Sequence, residues 1–223
     1  MRRIVDFFSG AGGASRGFKD AGFDEVIGVD IRPQPRYPYT FIQADAMGLI
    51  RNEAFLSEFD AVHLSPPCQL YSPTRYLAQG KGAPDDWLFE VLDITAEWDI
   101  PYSVENVEAA QMGKTYHVCG SMFPELAVRG KTRQLRRHRQ FKVNFEIPTY
   151  YCHHNGLKAI GLFGDIGGYG PPPSFTECPK SLDEAQELMG IYWMTYNEMK
   201  EAIPPAYTRH VGRYMLQALE SAA

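Results

Sequence analysis

Four short apolar runs, each ending in a polar or glycine-rich loop, constrain this chain more than any other feature. They lie at residues 4–8, 26–30, 61–65 and 102–105. Apolar runs of this length suit strands buried on both faces, as in parallel sheets covered by helices. The first run is interrupted only by Asp6 and ends in Ser9-Gly10-Ala11-Gly12-Gly13. A helical stretch then closes at Phe18, Ala21 and Gly22, and the second run carries Asp30 at its tip. Residues 40–43 read as a further strand, with a helix expected over about 47–59. A Pro- and Gly-rich loop follows to Pro84, after which Asp85 or Asp86 is placed to cap a helix running to about Trp98. The expectation is an α/β fold with an open, mostly parallel sheet, whose ligands sit at the carboxyl ends of the strands.

The second half is less regular. Residues 117–120 and 141–145 are expected as strands around a basic loop, and 148–180 gives no secure helix. Ser181-Leu182-Asp183-Glu184 is a capping-box pattern opening a helix to Met189, stopped at Gly190. Thr195-Tyr196-Asn197-Glu198 repeats that pattern, and a last helix is expected over about 207–219.

At 223 residues the chain is long enough for one real core and too short for two full-sized domains. Its 44% hydrophobic content excludes a mostly disordered chain. No run approaches the apolar length of a membrane-spanning helix, and the start Met1-Arg2-Arg3-Ile4-Val5-Asp6 is not a secretion signal. Cysteines at 68, 119, 152 and 178 give no disulfide framework, so a reduced, cytoplasmic protein is the expectation. Net charge is −5, yet residues 129–142 hold seven Lys or Arg and no acid. One focused cationic patch is therefore expected on an otherwise acidic protein, unless the segment is simply a solvated basic loop.

The glycine loop is neither a phosphate-binding P-loop nor the spaced dinucleotide fingerprint. It does let a ligand approach the backbone closely beside a helix start. Asp30 is placed to accept from a ribose diol, and Asp45, beyond the third strand, from an adenine amino group. A tight turn, a helix cap and a surface acid are the structural alternatives.

Ser65-Pro66-Pro67-Cys68-Gln69 is sharper, because it follows an apolar strand and a Pro-Pro-Cys corner is poor core material. A thiolate is the best side-chain nucleophile near neutral pH, with Arg75 and the basic segment as candidate activating charges. The alternative is a buried structural cysteine. Glu105 ends the next strand and can share that crevice, donating or accepting a proton on a ring nitrogen if burial raises its pKa. Cys152, His153 and His154, with Cys178 and Cys119, offer zinc-type ligands, but no CxxC pair supports a site and no metal is expected.

These segments together resemble a cytosine-C5 DNA methyltransferase: DFFSGAGG at 6–13, Asp45, SPPCQ at 65–69, ENV at 105–107, RHRQF at 137–141 and IPPAY at 203–207. The combination of SPPCQ and ENV in this order is specific, and the later segments look like a short, phage-type branch, with restriction–modification among the roles open to it. The resemblance implies a Rossmann-like S-adenosylmethionine-dependent methyltransferase fold. It places the cofactor against Phe8, Gly10 and Gly12, with Asp30 on the ribose and Asp45 on the adenine. It makes Cys68 the nucleophile, Glu105 the group at cytosine N3, and Arg137 and Arg139 the holders of a flipped nucleotide that also depress the Cys68 pKa. Asn106 would hold the local backbone.

Departures are visible. Leu135 stands where the family's QxRxR element has Gln, with Gln134 one place earlier, and Lys200-Glu201-Ala202-Ile203-Pro204-Pro205 lacks the Gly and Asn of the late element. A single catalytic domain over 1–223 is expected, with 146–180 a small irregular recognition insert and 181–223 a helical segment packing back on the core. Tyr150, Tyr151, His153, His154 and Phe163 could stack or wedge against bases, or simply pack the loop. So small an insert implies loose DNA specificity or a protein partner that supplies it. Two rivals stay open: a related transferase with another pyrimidine substrate or transferred group, and a catalytically silent DNA-binding protein.

Overall fold

The computed structural model describes residues 1–71, 86–149, 152, 154, 156–170 and 176–221. In chain order its elements begin β1 (Arg3–Phe7), α1 (Gly13–Ala21), β2 (Glu25–Asp30), β3 (Thr40–Gln43), α2 (Ala46–Leu49), α3 (Glu53–Leu56), β4 (Ala61–Leu64), α4 (Leu88–Ala96) and β5 (Tyr102–Val107). The second half adds β6 (Tyr116–Val118), β7 (Ala127–Val128), β8 (Arg133–Leu135), β9 (Arg139–Val143), β10 (Lys158–Ile160), α5 (Leu182–Met189), α6 (Tyr196–Glu201) and α7 (Pro205–Ser221).

Seven strands form one sheet in the order β3-β2-β1-β4-β5-β9-β6. The first five are mutually parallel, β9 runs antiparallel to β5, and β6 antiparallel to β9. Alternation along β1 divides the core. Ile4 joins Phe18, Val26 and Ala61 on the side covered by α1 and α7, whereas Val5 and Phe7 join Val62, Leu64, Leu88 and Val91 on the α4 side. Because β2 lies on one side of β1 and β4 on the other, the strand order reverses there, and a crevice opens beyond the carboxyl ends of β1 and β4. The glycine loop and the Pro-Pro-Cys corner both leave the sheet at that point.

The expected helix over 47–59 is instead two short helices, α2 and α3. Asn52 breaks it, accepting from Phe55 N at 3.1 Å and so capping the second piece. Asp86 does not cap α4, which starts at Leu88; it accepts from the Tyr71 hydroxyl instead, and Asp85 lies outside the described residues. The Ser181, Thr195 and Gly190 signals all act as expected. Ser181 Oγ accepts from Glu184 N at 3.1 Å, Thr195 and Glu198 form a reciprocal capping box, and Gly190 closes α5 at φ 67°.

A second, three-stranded sheet, β10-β8-β7, has no counterpart in the sequence reading. Two- and three-residue strands carry too little periodicity to be seen. This sheet also absorbs much of the basic segment. Arg129 pairs with Glu177 and Glu184, and Arg133 pairs with Glu177 at 2.9 Å. Arg136 donates to Leu157 O, and Arg137 and Arg139 turn toward the crevice. The segment is therefore largely internal cement and not one open cationic patch.

Helix α7 returns to pack on α1. Thr208 Oγ1 donates to Ala14 O at 2.8 Å, and a Cβ added at Gly17 would lie 2.0 Å from Thr208 Oγ1 and 2.2 Å from Pro205 O. One methyl group there must prise the helices apart, an overpacking cost of about 1–3 kcal/mol. Gly17→Ala is expected to lower the thermal midpoint by about 5 °C in a calorimetric or circular-dichroism melt. Among the described residues no helix is long and apolar enough to cross a membrane.

Candidate active site

Two loops and two strands build the crevice. Cys68 stands four residues beyond β4, in a turn whose entry is stiffened by Pro66 and Pro67. Asn106, fully buried in β5, donates from Nδ2 to Pro66 O at 3.1 Å, while its Oδ1 accepts from Val107 N at 2.9 Å. It thereby ties the Cys68 loop to the strand that carries Glu105. The register places Glu105 opposite Phe141 and Val107 opposite Arg139 on β9.

Glu105 is 6% exposed, and its Oε1 lies 2.8 Å from Arg139 Nε. The approach is close but off-axis, so Oε1 has an ionic neighbour without an aligned hydrogen bond. Arg137 is half-buried; Nη2 donates to Lys200 O at 2.6 Å, but its buried Nε has no hydrogen-bond partner among the described residues. Burial followed by repulsion from Arg139 lowers the Arg137 guanidinium to about 9. A cation and a carboxyl group held this way, each with unused hydrogen-bonding capacity, suit a ligand that offers both donors and acceptors.

Cys68, Glu105, Arg137 and Arg139 feel one another's charge, which identifies one cluster. Burial raises the Glu105 carboxyl above its ordinary value, against the opposing pull of Arg139, Arg137 and a hydrogen bond from Ser65. The expectation that the two arginines depress the Cys68 thiol needs correction. Both act in that direction, but burial is the larger effect and Glu105 adds to it, so the thiol is raised.

Beneath the cluster runs a chain of polar groups that the sequence reading missed. His63 is fully buried, with Nδ1 2.7 Å from Ser103 Oγ and Nε2 2.9 Å from Ser65 Oγ. Burial lowers its pKa to about 3, so it stays neutral and acts as a fixed connector to Ser65 and, through Ser65, to Glu105. The available signal was a histidine inside an apolar strand. Asp6, in β1, was noted only as an interruption. It is fully buried, its Oδ2 accepts from Ser15 Oγ, and its Oδ1 is unpartnered. Burial chiefly raises it to about 7.

On the glycine-loop side, Phe8 and Gly10 hold left-handed backbone at φ 58° and 49°. Open space surrounds the position a Gly10 Cβ would take. The Asp30 carboxylate accepts from Gly10 N at 3.0 Å and Arg32 N at 2.9 Å, which fixes it at the loop with acceptor capacity to spare. Gly12 has a packing reason of its own: a Cβ there would meet Pro38 and Tyr37 at 2.9 Å, and its φ is 87°. Asp45 is a helix cap, accepting from Met47 N at 3.0 Å through Oδ1, with its second oxygen left over. The open space at Gly10, with the Asp30 carboxylate anchored beside it, leaves room for a ligand against the loop backbone.

The C-terminal segment, expected to pack back on the core, reaches the glycine loop and the Arg137 turn through contacts the sequence does not show. Trp193 Nε1 donates to Ala11 O at 2.8 Å, and Tyr207 donates through its hydroxyl to Arg137 O at 2.6 Å. Ile203 O lies 2.5 Å from where a Gly13 Cβ would be, so Ile203 packs against the glycine loop without the family's Gly and Asn. Gln134 Nε2 donates to Gly120 O at 3.3 Å, and Leu135 is buried in the core. Of the recognition candidates, Phe163 packs its ring over Gly161 and Gly170. Tyr150, Tyr151 and His153, like Arg75, lie outside the described residues.

The 3-2-1-4-5-7-6 strand arrangement (β9 taking the seventh place) defines a class I S-adenosylmethionine-dependent methyltransferase fold. The family model for C-5 cytosine-specific DNA methylase matches residues 2–128, and the chain belongs to that family. It is 34% identical over 131 residues to Type II methyltransferase M.HgiGI of Herpetosiphon aurantiacus, covering 51% of this chain and 97% of that one. It is 32% identical over 135 residues to M.HgiDI of the same organism, covering 54% of this chain but 41% of the relative. The chain thus matches less than half the length of M.HgiDI. Among solved structures, S. pombe Dnmt2 methyltransferase superposes with a TM-score of 0.63 at 13% identity, covering 98% of this chain and 99% of that one. A putative DNA modification methyltransferase encoded within an E. coli prophage gives 0.60 at 13% identity, covering 99% and 100%. These likenesses establish the shared fold. Fold and family together imply an S-adenosylmethionine site.

Proposed function

We propose that this protein is a DNA (cytosine-5)-methyltransferase that works through a covalent bond between Cys68 and cytosine C6. The observation that carries the reading is the cluster of half-buried Cys68, Arg137 and Arg139 around the buried Glu105 carboxyl, on the sheet whose glycine loop leaves open space at Gly10. A cytosine must leave the base stack to reach so recessed a thiol. Arg137 and Arg139 then offer charge-assisted hydrogen bonds to the extruded nucleotide. Glu105, whose carboxyl burial raises above its ordinary value, bonds N3 and stabilises the charge that develops as the Cys68 thiolate adds to C6. Addition makes C5 electron-rich. S-adenosylmethionine, when bound, supplies an electrophilic methyl group to that carbon. Phe8, Gly10 and Gly12 would line its site, with Asp30 on the ribose hydroxyls and Asp45 on the adenine amino group. Loss of the C5 proton to water or another base expels Cys68 and restores the ring.

Phe163, one of the aromatic recognition candidates, is engaged locally, and the whole 146–180 insert is short for reading a groove. The reading therefore includes loose sequence specificity or a partner protein that supplies it. Incubation with methyl-labelled S-adenosylmethionine and DNA, RNA or free dCMP tests the substrate. Label at C5 of cytosine in DNA is expected. Label confined to RNA or to dCMP overturns the DNA assignment, and no label in any of them supports the silent binding protein.

A further inference from the structure

Outside the crevice the fold gathers a second set of reactive side chains. The ligand atoms of Cys119, His138, Cys152 and His154 all lie within 4.8 Å of one another. Cys119 Sγ is 3.8 Å from His154 Nε2, and Cys152 Sγ is 3.6 Å from His138 Nε2. A tetrahedral zinc ion with bonds of about 2.3 Å to sulfur and 2.0–2.1 Å to nitrogen sets its ligands about 3.3–3.8 Å apart. The two sulfur–nitrogen separations fall within that range, and the remaining pairs need close by no more than about 1.5 Å around an ion. Cys178, considered with Cys152 from the sequence, is elsewhere, donating to Phe163 O at 3.2 Å. His138 takes its place, a residue hidden in the sequence between the two crevice arginines.

The orientation of His138 adds an independent detail. With Nε2 toward the cluster, its Nδ1 faces Glu108 Oε2 at 3.9 Å. A carboxylate behind a histidine is the usual outer partner of a metal-bound imidazole, fixing its tautomer and ring angle. A cavity of about 440 Å³ whose lining includes Cys119, His138 and Cys152 adjoins the cluster.

We propose that Cys119, His138, Cys152 and His154 form a structural zinc site that clamps the 146–180 insert to the turn bearing Arg137 and Arg139. Two thiolates and two neutral imidazoles balance the charge of Zn²⁺ and fill all four positions, which leaves none for substrate or water. The four ligands come from the end of β6, the start of β9 and the insert. Binding therefore closes two chain loops and fixes His138, whose neighbours reach into the crevice. The ion thus positions Arg137 and Arg139 and takes no part in the chemistry. This inference is separate from the methyltransferase reading and does not depend on it.

The test is elemental analysis of full-length protein purified in reducing buffer without chelator or metal-affinity tag. One zinc per chain is expected, lost in Cys152→Ser and in His154→Asn, and retained in Cys178→Ser. Cobalt(II) replacing the zinc is expected to show the intense visible bands and thiolate charge transfer of a tetrahedral site. Should the ligand variants fail to fold, removing zinc from the unaltered protein with a chelator is expected to lower its thermal midpoint by at least about 5 °C, with recovery on adding zinc back. Protein that neither carries zinc nor takes it up overturns the proposal. So does zinc retained in both ligand variants, or a Cys119–Cys152 disulfide found under those reducing conditions.

Discussion

Cys68→Ser lowers methyl transfer to cytosine by at least about 10³-fold, a loss of about 4 kcal/mol in transition-state stabilisation. The substitution keeps size and polarity close to those of the thiol, and Cys68 is only partly buried, so the fold should survive. What disappears is a side chain able to ionise in the neutral range and add to C6. The direction of the thiol shift adds a signed expectation. Burial holds the Cys68 pKa above its ordinary value despite Arg139 and Arg137, so little thiolate is present at neutral pH. The kcat/KM of the parent protein should therefore climb with pH through the neutral range, approaching tenfold per unit, and level only above the ordinary thiol value. Initial rates measured across pH on one DNA substrate check both the loss and the slope. A Cys68→Ser protein within tenfold of the parent would remove the covalent mechanism.

Glu105→Gln costs about 10²–10⁴ in kcat, the range for removing a positioned acid. The amide can still donate a hydrogen bond but cannot share a proton with N3. It also leaves Arg139 without its buried counter-charge, so some loss of stability is expected alongside. A purely structural role for Glu105 would not produce the second signature. Its carboxylate raises the Cys68 pKa, so neutralising it should move the thiol-controlled limb of the pH profile to lower pH. Alkylation of Cys68 by iodoacetamide, followed by peptide mass spectrometry against pH, reads that shift independently of turnover. An unmoved titration would show that the two groups are not electrostatically coupled.

The middle of the sheet was legible because β1, β2, β4 and β5 are short, largely apolar runs buried on both faces, and the glycine loop and the Pro-Pro-Cys corner punctuate two of them. The helix ends were legible where a cap did the work, as at Ser181, Thr195 and Gly190. The failures share a cause. Asn52 breaks a stretch that is apolar enough for one helix, and β7, β8 and β10 are held by pairing across the chain and not by local pattern. At the site, Cys68 stood out because it follows an apolar strand through a Pro-Pro corner, and Glu105 because it lies in the next apolar run, which folds as β5 and continues to Val107. His63, Ser65, Trp193 and Tyr207 did not, since their roles depend on partners 2 to 182 residues away in sequence or on burial no local motif reports. The balance of electrostatic effects at Cys68 was equally hidden, because sequence names the arginines but not how far the thiol is removed from water. His138 is the clearest instance. Its arginine neighbours marked the segment, and only the folded chain turns the ring between them toward two cysteines and a second histidine.

The most direct test uses DNA containing 5-fluorodeoxycytidine, in which fluorine replaces the C5 hydrogen whose loss releases the thiol. In the presence of S-adenosylmethionine, intact-mass analysis should find one DNA strand bound covalently per protein chain, and peptide mapping should place the bond at Cys68. No adduct on DNA that is otherwise methylated, or an adduct at Cys119, Cys152 or Cys178, would contradict the account.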